Sequence, residues 1–410
     1  MTRDEAQALD AADPLARFAQ AFALPQGVIY LDGNSLGPPP LAAQARLAET
    51  ARTEWGEGLI RSWNSAGWID APLRVGGKIA RLIGAGPHEV AVADSTSVNL
   101  FKLAAGALSL RPGRTTVLSE TGNFPTDLYT LQGLAALLGE RANLKTVAPQ
   151  DLVAAIDDDT AVVVLTHIHY KSARRWDMKQ VTAAAQARGA LMLWDLCHSA
   201  GAVAVDLNGV GADLAVGCSY KYLNGGPGAP AFLFVAERHQ GAIRSPLTGW
   251  MGHAAPFAFE DGYRPAADIR AQITGTPPIL ALAALEAGVD LQLEADPGRV
   301  EAKGRALTEL FIAQVEARCT DPALSLASPR DAAGRGLHVS FAHPQGYAVV
   351  QALIARGVIG DFRAPDIARF GFSPLFLSFT QVWDAAAELC EVLETRAWDA
   401  PEFLARAAVT

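Results

Sequence analysis

The chain has 410 residues and a formal net charge of −9 at pH 7. Hydrophobic residues make up 50% and charged residues 19%, a globular composition that excludes a disordered chain, a collagen-like repeat or a long coiled coil. At roughly 100–200 residues per domain, the length predicts two or three domains. The acidic balance gives no support to binding of nucleic acid or of an anionic membrane, and the longest apolar runs are far too short to span a bilayer.

The cysteines and the N-terminus indicate the compartment. Cys197, Cys218, Cys319 and Cys390 are widely spaced and form no CxxC motif, which favours free thiols over a disulfide framework or a zinc ribbon. The N-terminal segment carries acidic residues where a signal peptide would carry an uninterrupted apolar run. We therefore expect a soluble, cytoplasmic protein.

The N-terminal part of the chain is predicted to be mostly helical. The first thirty residues have a helical pattern that ends at Pro25, and a short strand follows at residues 28–31. The prolines at 38–40 precede an alanine-rich helical pattern that reaches about Trp55.

The middle of the chain alternates strands and helices. Residues 161–165 form a continuous apolar, β-branched run, typical of a strand that is buried on both faces. Residues 177–188 have a helical pattern that stops at Gly189. Further strands are predicted at 115–118, 191–194, 213–218 and 231–235. This alternation predicts an α/β domain with a mostly parallel sheet between helices.

Beyond about residue 290 the pattern changes. Long helical patterns at 300–318 and 381–396 flank short strands near 337–341, which predicts a smaller C-terminal α+β domain. The predicted units are an N-terminal segment at 1–60 that packs with the small domain, a large α/β domain at 61–290 and a small domain at 291–410.

Polar side chains follow three of the predicted strands. Thr166 follows one strand, Asp195 and His198 follow the next, and Lys221 follows a third, directly before a glycine-rich turn. Ligands bind beyond the carboxyl ends of such strands. Most loop lysines are solvated, but a buried aspartate needs a cationic or hydrogen-bonding partner. Pyridoxal phosphate uses both groups: its aldehyde forms a Schiff base with a lysine, and a carboxylate holds its pyridine nitrogen protonated.

The same cofactor needs a phosphate site and an aromatic surface. Residues 94–99 are rich in hydroxyl groups and precede an apolar helix at 100–108, and helix N-termini bind phosphate. An ordinary helix cap explains this segment equally well. Phe124 is a candidate for stacking on the cofactor ring.

Seven segments of the chain stand out: YLDGNSLG at 30–37, NFPTD at 123–127, WDLCHSAG at 194–201, YKYLNGGPG at 220–228, GWMGH at 249–253, TPP at 276–278 and RFGF at 369–372. Together, in order from about residue 28 to the C-terminus, they resemble the kynureninase family, closest to its bacterial members. The lysine and aspartate alone would indicate only the wider fold-type I group of pyridoxal-phosphate enzymes.

The resemblance implies a fold, a reaction and an assembly. The fold is a mostly parallel, seven-stranded type of sheet sandwiched by helices, with a smaller C-terminal α+β domain. The reaction is hydrolysis of the Cβ–Cγ bond of L-kynurenine to anthranilate and L-alanine in tryptophan breakdown, with pyridoxal phosphate as cofactor. The assembly is a homodimer with shared active sites.

The resemblance also implies roles for individual residues. Lys221 is the Schiff-base lysine and the base, and Tyr220 with Asp127 handles protons. Asp195 pairs with the pyridine nitrogen, and His198 supports it. The further cofactor-binding positions are Thr96, Ser97, Phe124, Pro125, Thr126, Asp127, Thr166, Tyr220, Trp250 and Thr276, of which Trp250 and Thr276 belong to the partner subunit.

Three positions are expected to bind substrate. Arg369 matches the arginine that holds the substrate carboxylate. Trp63 is either a wall for the aryl ring or, with Trp68, a hydrophobic plug at the dimer surface. Gly275 and Thr276 stand where family members that prefer 3-hydroxykynurenine carry Ser-Asn, so we expect plain L-kynurenine to be the better substrate.

Competing interpretations come from other motifs. The Gly-x-Ser-x-Gly sequence around Ser35 is the nucleophile pattern of α/β-hydrolases, although it follows only one convincing strand. A metal hydrolase could use His167, His169, Cys197 and His198, but neighbours in a strand point to opposite faces. We expect no metal site.

Two more interpretations are weaker. A cysteine desulfurase or selenocysteine lyase would need a reactive cysteine in a mobile C-terminal loop, and neither Cys319 nor Cys390 has that context. A binding module would leave the lysine and aspartate at the strand ends unexplained.

Overall fold

The computed structural model describes residues 1–406. The strands of this part of the chain are β1 (Ile29–Tyr30), β2 (Val90–Val92), β3 (Thr116–Glu120), β4 (Asn143–Val147), β5 (Thr160–Thr166), β6 (Leu191–Asp195), β7 (Leu214–Gly217), β8 (Phe232–Val235), β9 (Ser325–Leu326), β10 (His338–Ala342), β11 (Val358–Ile359), β12 (Asp361–Arg363) and β13 (Ile367–Gly371). Its α-helices are α1 (Arg3–Ala12), α2 (Leu41–Glu49), α3 (Ser62–Ser65), α4 (Ala71–Leu82), α5 (Thr96–Leu110), α6 (Pro125–Leu138), α7 (Met178–Ala187), α8 (Glu237–Gln240), α9 (Ile279–Leu293), α10 (Pro297–Arg318), α11 (Gly346–Ala355), α12 (Phe379–Glu394) and α13 (Pro401–Leu404).

The large sheet has seven strands in the order β2-β8-β7-β6-β5-β3-β4. The five strands from β7 to β4 are parallel, whereas β8 runs antiparallel to both β7 and β2. The predicted fold class, a mostly parallel seven-stranded sheet between helices, is confirmed. The antiparallel direction of β8 was not predicted. Its cause is local: residues 218–231 join β7 to β8 without the helix that a parallel crossover normally needs.

Alternate residues of the parallel strands supply two hydrophobic layers. Val163 and Leu165 of β5 pack with α4, α7 and α9 on one face, while Val162 and Val164 pack with α5 and α6 on the other. Both faces are therefore covered, which explains why these strands are continuous apolar runs. This core holds the carboxyl ends of β5, β6 and β7 side by side.

A second hydrophobic core lies around the antiparallel sheet β12-β13-β10-β9 and the helices α10, α11 and α12. Phe18, Phe22 and Leu31 from the N-terminal segment belong to it, and β1 pairs in parallel with β11. Helix α2 packs instead on α9. The N-terminal segment thus contacts both cores, and the domain boundaries stay a prediction.

Two helical predictions were too simple. The first thirty residues form α1 and a separate 3-10 turn at Ala16–Ala21, and the helix predicted to reach Trp55 is α2 followed by a π-helical turn at Thr50–Gly58. Within residues 1–406, the structure contains no helix with the length and apolar character needed to cross a membrane.

Candidate functional site

A cavity of about 230 Å³ lies at the carboxyl end of the parallel strands. The residues that line it come from the loops after β5, β6 and β7 and from the first turns of α5 and α6. They are Thr96, Ser97, Phe124, Thr126, Asp127, Thr166, Tyr170, Asp195, Cys197, His198, Tyr220 and Lys221. Ten of the predicted site residues therefore meet in one place.

Lys221 is presented to the cavity by a turn that hydrogen bonds hold closed. Ser219 donates to the carbonyl of Pro230 at 2.6 Å, and its own carbonyl accepts from the amide of Gly225 at 2.9 Å. The Nζ atom of Lys221 lies 3.2 Å from Nε2 of His198. Burial lowers the pKa of His198 well below its ordinary value, and the charge of Lys221 acts in the same direction. His198 is therefore neutral at pH 7 and contacts the lysine rather than Asp195.

Two buried carboxyl groups share the floor of the cavity. Asp195 ends β6, and its Oδ1 accepts a hydrogen bond from the amide of Cys197 at 2.7 Å. Asp127 lies on α6 and accepts a hydrogen bond from the Thr166 hydroxyl at 3.3 Å. Burial raises the pKa of Asp127 well above its ordinary value, and the neighbouring charge of Asp195 raises it further. Both effects favour the protonated form of Asp127.

Tyr220 lines the cavity beside Lys221, with the ammonium nitrogen 5.8 Å from its ring centre. Burial raises the pKa of its phenol, and Cys218 adds to the effect. The phenol therefore keeps its proton at neutral pH and can donate it.

The first turn of α5 forms one wall. Ser95 caps this helix by accepting a hydrogen bond from the amide of Val98 at 3.3 Å. Thr96 and Ser97 follow, and Thr96 Oγ1 is 3.8 Å from the sulfur of Cys197. The amides and hydroxyl groups of such a turn can bind a phosphate.

Two residues to which the sequence assigned no role, Asn123 and Tyr170, contact predicted site residues. Asn123 accepts a hydrogen bond from Thr166 at 2.5 Å and from the amide of Phe124 at 2.8 Å, so it fixes both predicted residues. Tyr170 packs edge-on against Phe124, with ring centres 5.2 Å apart. Tyr170 follows β5 closely, so its place near a strand end was a usable signal. Pro125 begins α6 and is not among the residues that line the cavity.

Arg369 lies on β13 with 2% of its side chain exposed and is fully engaged. It forms a bidentate ion pair with Asp361, with Nε to Oδ1 at 2.8 Å and Nη2 to Oδ2 at 2.5 Å. Its other bonds go to the carbonyl of Tyr170 at 2.5 Å and to Oγ of Ser35 at 2.8 Å. Burial alone would raise the pKa of Asp361, but the charges of Arg369 and Arg363 outweigh it and hold that pKa below its ordinary value.

Another buried histidine adjoins the cavity. The ring of His338 lies 5.3 Å from that of His198, and neither of its ring nitrogens has a hydrogen-bond partner within the described residues. No sequence signal singled out His338.

The remaining predicted residues lie outside the Lys221 cavity in this single chain. Gly275 and Thr276 line a separate pocket of about 350 Å³ beside Asp94. Trp250 is 38% exposed and packs on Phe257, with ring centres 5.7 Å apart. Trp63 packs edge-on against Trp68, with ring centres 5.9 Å apart.

The rival motifs do not assemble into sites. The Ser35 hydroxyl lies 2.6 Å from Asp361 and is bonded to two arginines, without the histidine that a serine nucleophile needs. His167 bonds to Ser199 at 2.8 Å, and His169 to the carbonyl of Gly122 at 2.8 Å. Residues 1–406 contain no group of three His, Cys, Asp or Glu side chains placed to hold a metal ion.

Solved structures of other proteins share this fold. A cysteine desulfurase from Thermococcus onnurineus matches with a TM-score of 0.78 and 19% identity, over 93% of this chain and 98% of that one. The cystine C-S lyase C-DES, solved with glycine covalently linked to its pyridoxal-phosphate cofactor, matches with a TM-score of 0.77 and 16% identity over 89% and 97%. The fold is that of the fold-type I pyridoxal-phosphate-dependent enzymes.

Comparison with related sequences identifies the family. Residues 300–389 match the family described as the kynureninase C-terminal domain. Relatives named kynureninase from Burkholderia mallei and Pseudomonas fluorescens are 54% and 52% identical, each over 100% of both chains. The chain belongs to the kynureninase family, which confirms the resemblance of the seven segments.

The cavity residues fit pyridoxal phosphate. A lysine amine enters the cavity beside a neutral histidine, a buried carboxylate lies on its floor, and a hydroxyl-rich helix N-terminus forms one wall. The Nδ1 atom of His198 is buried without a partner among the described residues, which leaves it available to a bound group. These donors and acceptors match the aldehyde, pyridine nitrogen and phosphate that the cofactor presents.

Proposed function

We propose that this protein hydrolyses the Cβ–Cγ bond of L-kynurenine to give anthranilate and L-alanine. Family membership supports kynurenine as the substrate. The observation that carries the proposal is the cavity in which Lys221, Asp195, Asp127 and Tyr220 meet at the strand ends. When bound, pyridoxal phosphate supplies an electron sink that makes bonds near the substrate amino group labile.

Lys221 is proposed to hold the cofactor aldehyde and then to move the substrate Cα proton. Its position in the cavity, with Nζ 3.2 Å from the neutral His198 ring, supports this role. Asp195 is proposed to face the pyridine nitrogen, since it is buried at the end of β6 and held by the Cys197 amide. Thr96 and Ser97 are proposed to bind the phosphate at the start of α5.

Tyr220 and Asp127 are proposed to deliver protons. Both have raised pKa values, chiefly because of burial, so both favour the protonated form near neutral pH. A group that keeps its proton until a carbanion develops is a suitable general acid. Phe124 is proposed to stack on the cofactor ring, with Tyr170 supporting it edge-on.

Arg369 is proposed to bind the substrate α-carboxylate. It is an arginine held rigidly by Asp361, Ser35 and the Tyr170 carbonyl, and Tyr170 itself lines the cavity. A planar guanidinium with fixed orientation suits a carboxylate. The carboxylate would have to share or replace part of this network.

A second copy of the chain is proposed to complete the site. An apolar groove of about 440 Å³ is lined by Trp55, Trp68 and residues 278–281, and Ile60 nearby in sequence is 77% exposed. Exposed apolar patches of this kind mark interfaces. A homodimer would cover them and could bring Trp250 and Thr276 to the partner's cavity.

Spectroscopy and product analysis test this proposal. The purified protein should be yellow, convert L-kynurenine to anthranilate, and carry a pyridoxyl group on the Lys221 peptide after borohydride reduction. Lys221→Ala should abolish turnover, whereas Lys171→Ala, a lysine near the same cavity, should not. Labelling of Lys171 or Lys179 in place of Lys221 would refute the assignment.

Plain L-kynurenine is proposed to be the better substrate, with 3-hydroxykynurenine a weaker one. Gly275 itself has no side-chain donor or acceptor to bind a ring hydroxyl, and a side chain there would meet no atom within 4 Å, so the space beside it is open. Trp68 shares the apolar groove with Pro278, and Pro278 adjoins Gly275 in the next pocket, which puts the Trp63–Trp68 pair near this turn.

A competition between the two substrates measures this preference. Steric and apolar discrimination predicts about 1–3 kcal/mol in favour of L-kynurenine. If 3-hydroxykynurenine has the larger kcat/KM, residues other than Gly275 and Thr276 determine which aryl ring is preferred.

A further inference from the structure

Asp94 lies at the turn that leads into the proposed phosphate site. It follows β2 and precedes Ser95, the N-cap of α5. Its φ of 51° is in the left-handed region, which is strained for a residue with a side chain. Its carbonyl accepts a hydrogen bond from the amide of Ala231 at 2.9 Å. Asp94 therefore joins β2 to the start of α5 through a left-handed backbone conformation.

Lys102 holds Asp94 from inside the protein. It lies on α5 with no exposed surface, and its Nζ atom is 2.7 Å from Asp94 Oδ2 and 2.6 Å from the carbonyl of Gln272. Burial lowers the pKa of Lys102, while the charge of Asp94 opposes the shift. A charged group is retained in such a place only when its partners are fixed. We call Asp94, Lys102 and the Gln272 carbonyl the clasp.

The clasp reaches the segments that carry Thr276 and Trp250. The Thr274 hydroxyl donates to Asp94 at 3.2 Å, two residues before Thr276. A side chain on Gly249 would come within 1.9 Å of the Thr274 carbonyl oxygen. The backbone just before Trp250 therefore packs directly on the segment that contains Thr274 and Thr276. One buried lysine therefore connects the first turn of α5 with both segments proposed to cross to the partner.

We propose that Lys102 is a positioning residue for the cofactor: it holds Asp94, and thereby fixes the phosphate-binding turn of α5 and the segment 272–276. It does not touch the cofactor. This inference rests on the proposed function, in which Thr96 and Ser97 bind the phosphate.

The chain contains a matched control for the clasp. Lys303 on α10 is also a buried lysine, 2.7 Å from Asp13 and 2.6 Å from the carbonyl of Pro374. This second trio has the same chemistry but lies in the other hydrophobic core. Loss of either trio should lower stability to a similar extent, whereas only loss of the clasp should affect the cofactor.

Cofactor titration of the apoprotein tests the proposal. Two double variants, Lys102→Met with Asp94→Asn and Lys303→Met with Asp13→Asn, remove each ion pair without leaving a buried charge. Pyridoxal phosphate is removed with hydroxylamine and added back, and its Kd is measured by visible absorbance, together with the thermal midpoint of the apoprotein. We expect the Kd of the clasp variant to rise about tenfold or more, as for partners that orient a bound group, and the control to stay within about twofold.

The outcomes separate a positioning role from a merely structural one. An unchanged Kd in the clasp variant, or an equal rise in both variants, would overturn the proposal. Should the double variant fail to fold, Asp94→Asn alone, which still suits a left-handed backbone, is compared with Asp13→Asn by the same criterion. If the unaltered protein itself does not bind pyridoxal phosphate at Lys221, it is the proposed function that fails.

Discussion

At the scale of single residues, the site contains two buried carboxyl groups, and burial makes a charge on an isolated carboxyl group costly. Asp195 and Asp127 are neighbours with 2% exposure each, and burial, together with the nearby charge of Asp195, raises the pKa of Asp127. A protonated Asp127 would carry no charge to place opposite a ring nitrogen. Asp195 accepts a hydrogen bond from the Cys197 amide, which orients its carboxyl group in the cavity. We therefore propose Asp195 as the group that faces the ring nitrogen.

Asp195→Asn tests this electrostatic role. The amide keeps the shape but loses the charge, so we expect kcat to fall about 10²- to 10³-fold, as when other preorganised charges are removed. Asp213→Asn is the control, because Asp213 is equally buried but lies at the opposite end of the strands, bonded to the Met192 amide. It should lower the thermal midpoint and leave kcat nearly unchanged. Near-normal activity of Asp195→Asn would contradict the assignment.

Arg369→Lys tests carboxylate binding. A lysine cannot reproduce the bidentate pair with Asp361 and the bond to Ser35 together, so the orientation of the charge is lost. We expect kcat/KM to fall by an amount that corresponds to a loss of about 1.5–3 kcal/mol of transition-state stabilisation, which is the strength of a hydrogen bond to a charged group. The cofactor should remain bound. Arg335→Lys changes another buried arginine, bonded to Glu309, and should leave kcat/KM intact. Equal kcat/KM values for both variants would argue against the role.

At the scale of secondary structure, the turn at 33–37 packs against the turn that carries Lys221. The Gly37 amide donates to the Tyr220 carbonyl at 2.8 Å. A side chain at Gly37 would lie 2.2 Å from the carbonyl oxygen of Lys221 and 2.4 Å from Asn224. The glycine is therefore required by close approach of two backbones, which explains part of the Gly-x-Ser-x-Gly pattern without a serine nucleophile.

Gly37→Ala should displace the Lys221 turn. We expect a loss of activity of about 10- to 100-fold, because small shifts of a reacting group are costly, and a stability loss of about 1–3 kcal/mol from overpacking. Gly133→Ala is the control: it lies within α6, where an added side chain would meet no atom within 4 Å. That change should be neutral or slightly stabilising. If kcat of Gly37→Ala equals that of Gly133→Ala, the two turns are not coupled.

The sequence predicted strands best where burial on both faces produces an apolar run, as in β5 and β6. It missed β4, whose residues are half-exposed or exposed, and β2, which is three residues long. It brought Thr166, Asp195, His198 and Lys221 together because parallel strands share one edge, whereas the other cavity residues were predicted from the needs of the cofactor or from the family resemblance. It could not place Ser35 beside Asp361 and Arg369, because these residues lie 326 and 334 positions further along the chain. It also did not predict the antiparallel pairing of β12 with β13 that puts Asp361 opposite Arg369.

At the scale of the whole molecule, one chain supplies a cavity but not every predicted residue. Within one chain, neither Trp250 nor Thr276 lines the cavity that contains Lys221. Both lie on segments that pack together beside an exposed apolar groove. A two-fold dimer would place the same surface patch of both copies in contact. If these segments cross at that interface, each site is built from two chains, and activity should depend on which chains associate.

Mixing two inactive variants tests the shared site. Lys221→Ala lacks the lysine but keeps Trp250, and Trp250→Ala has the reverse defect. In a heterodimer one site combines the intact lysine with the intact tryptophan, so random exchange of equal amounts should restore about a quarter of wild-type sites. Mixing Lys221→Ala with Asp195→Ala is the control, since both side chains line the same cavity of one chain and neither heterodimer site is whole. Restored activity in the first mixture alone would support shared sites. If subunit exchange is demonstrated and no activity returns, the sites are not shared. Any role of Trp250 would then be within its own chain.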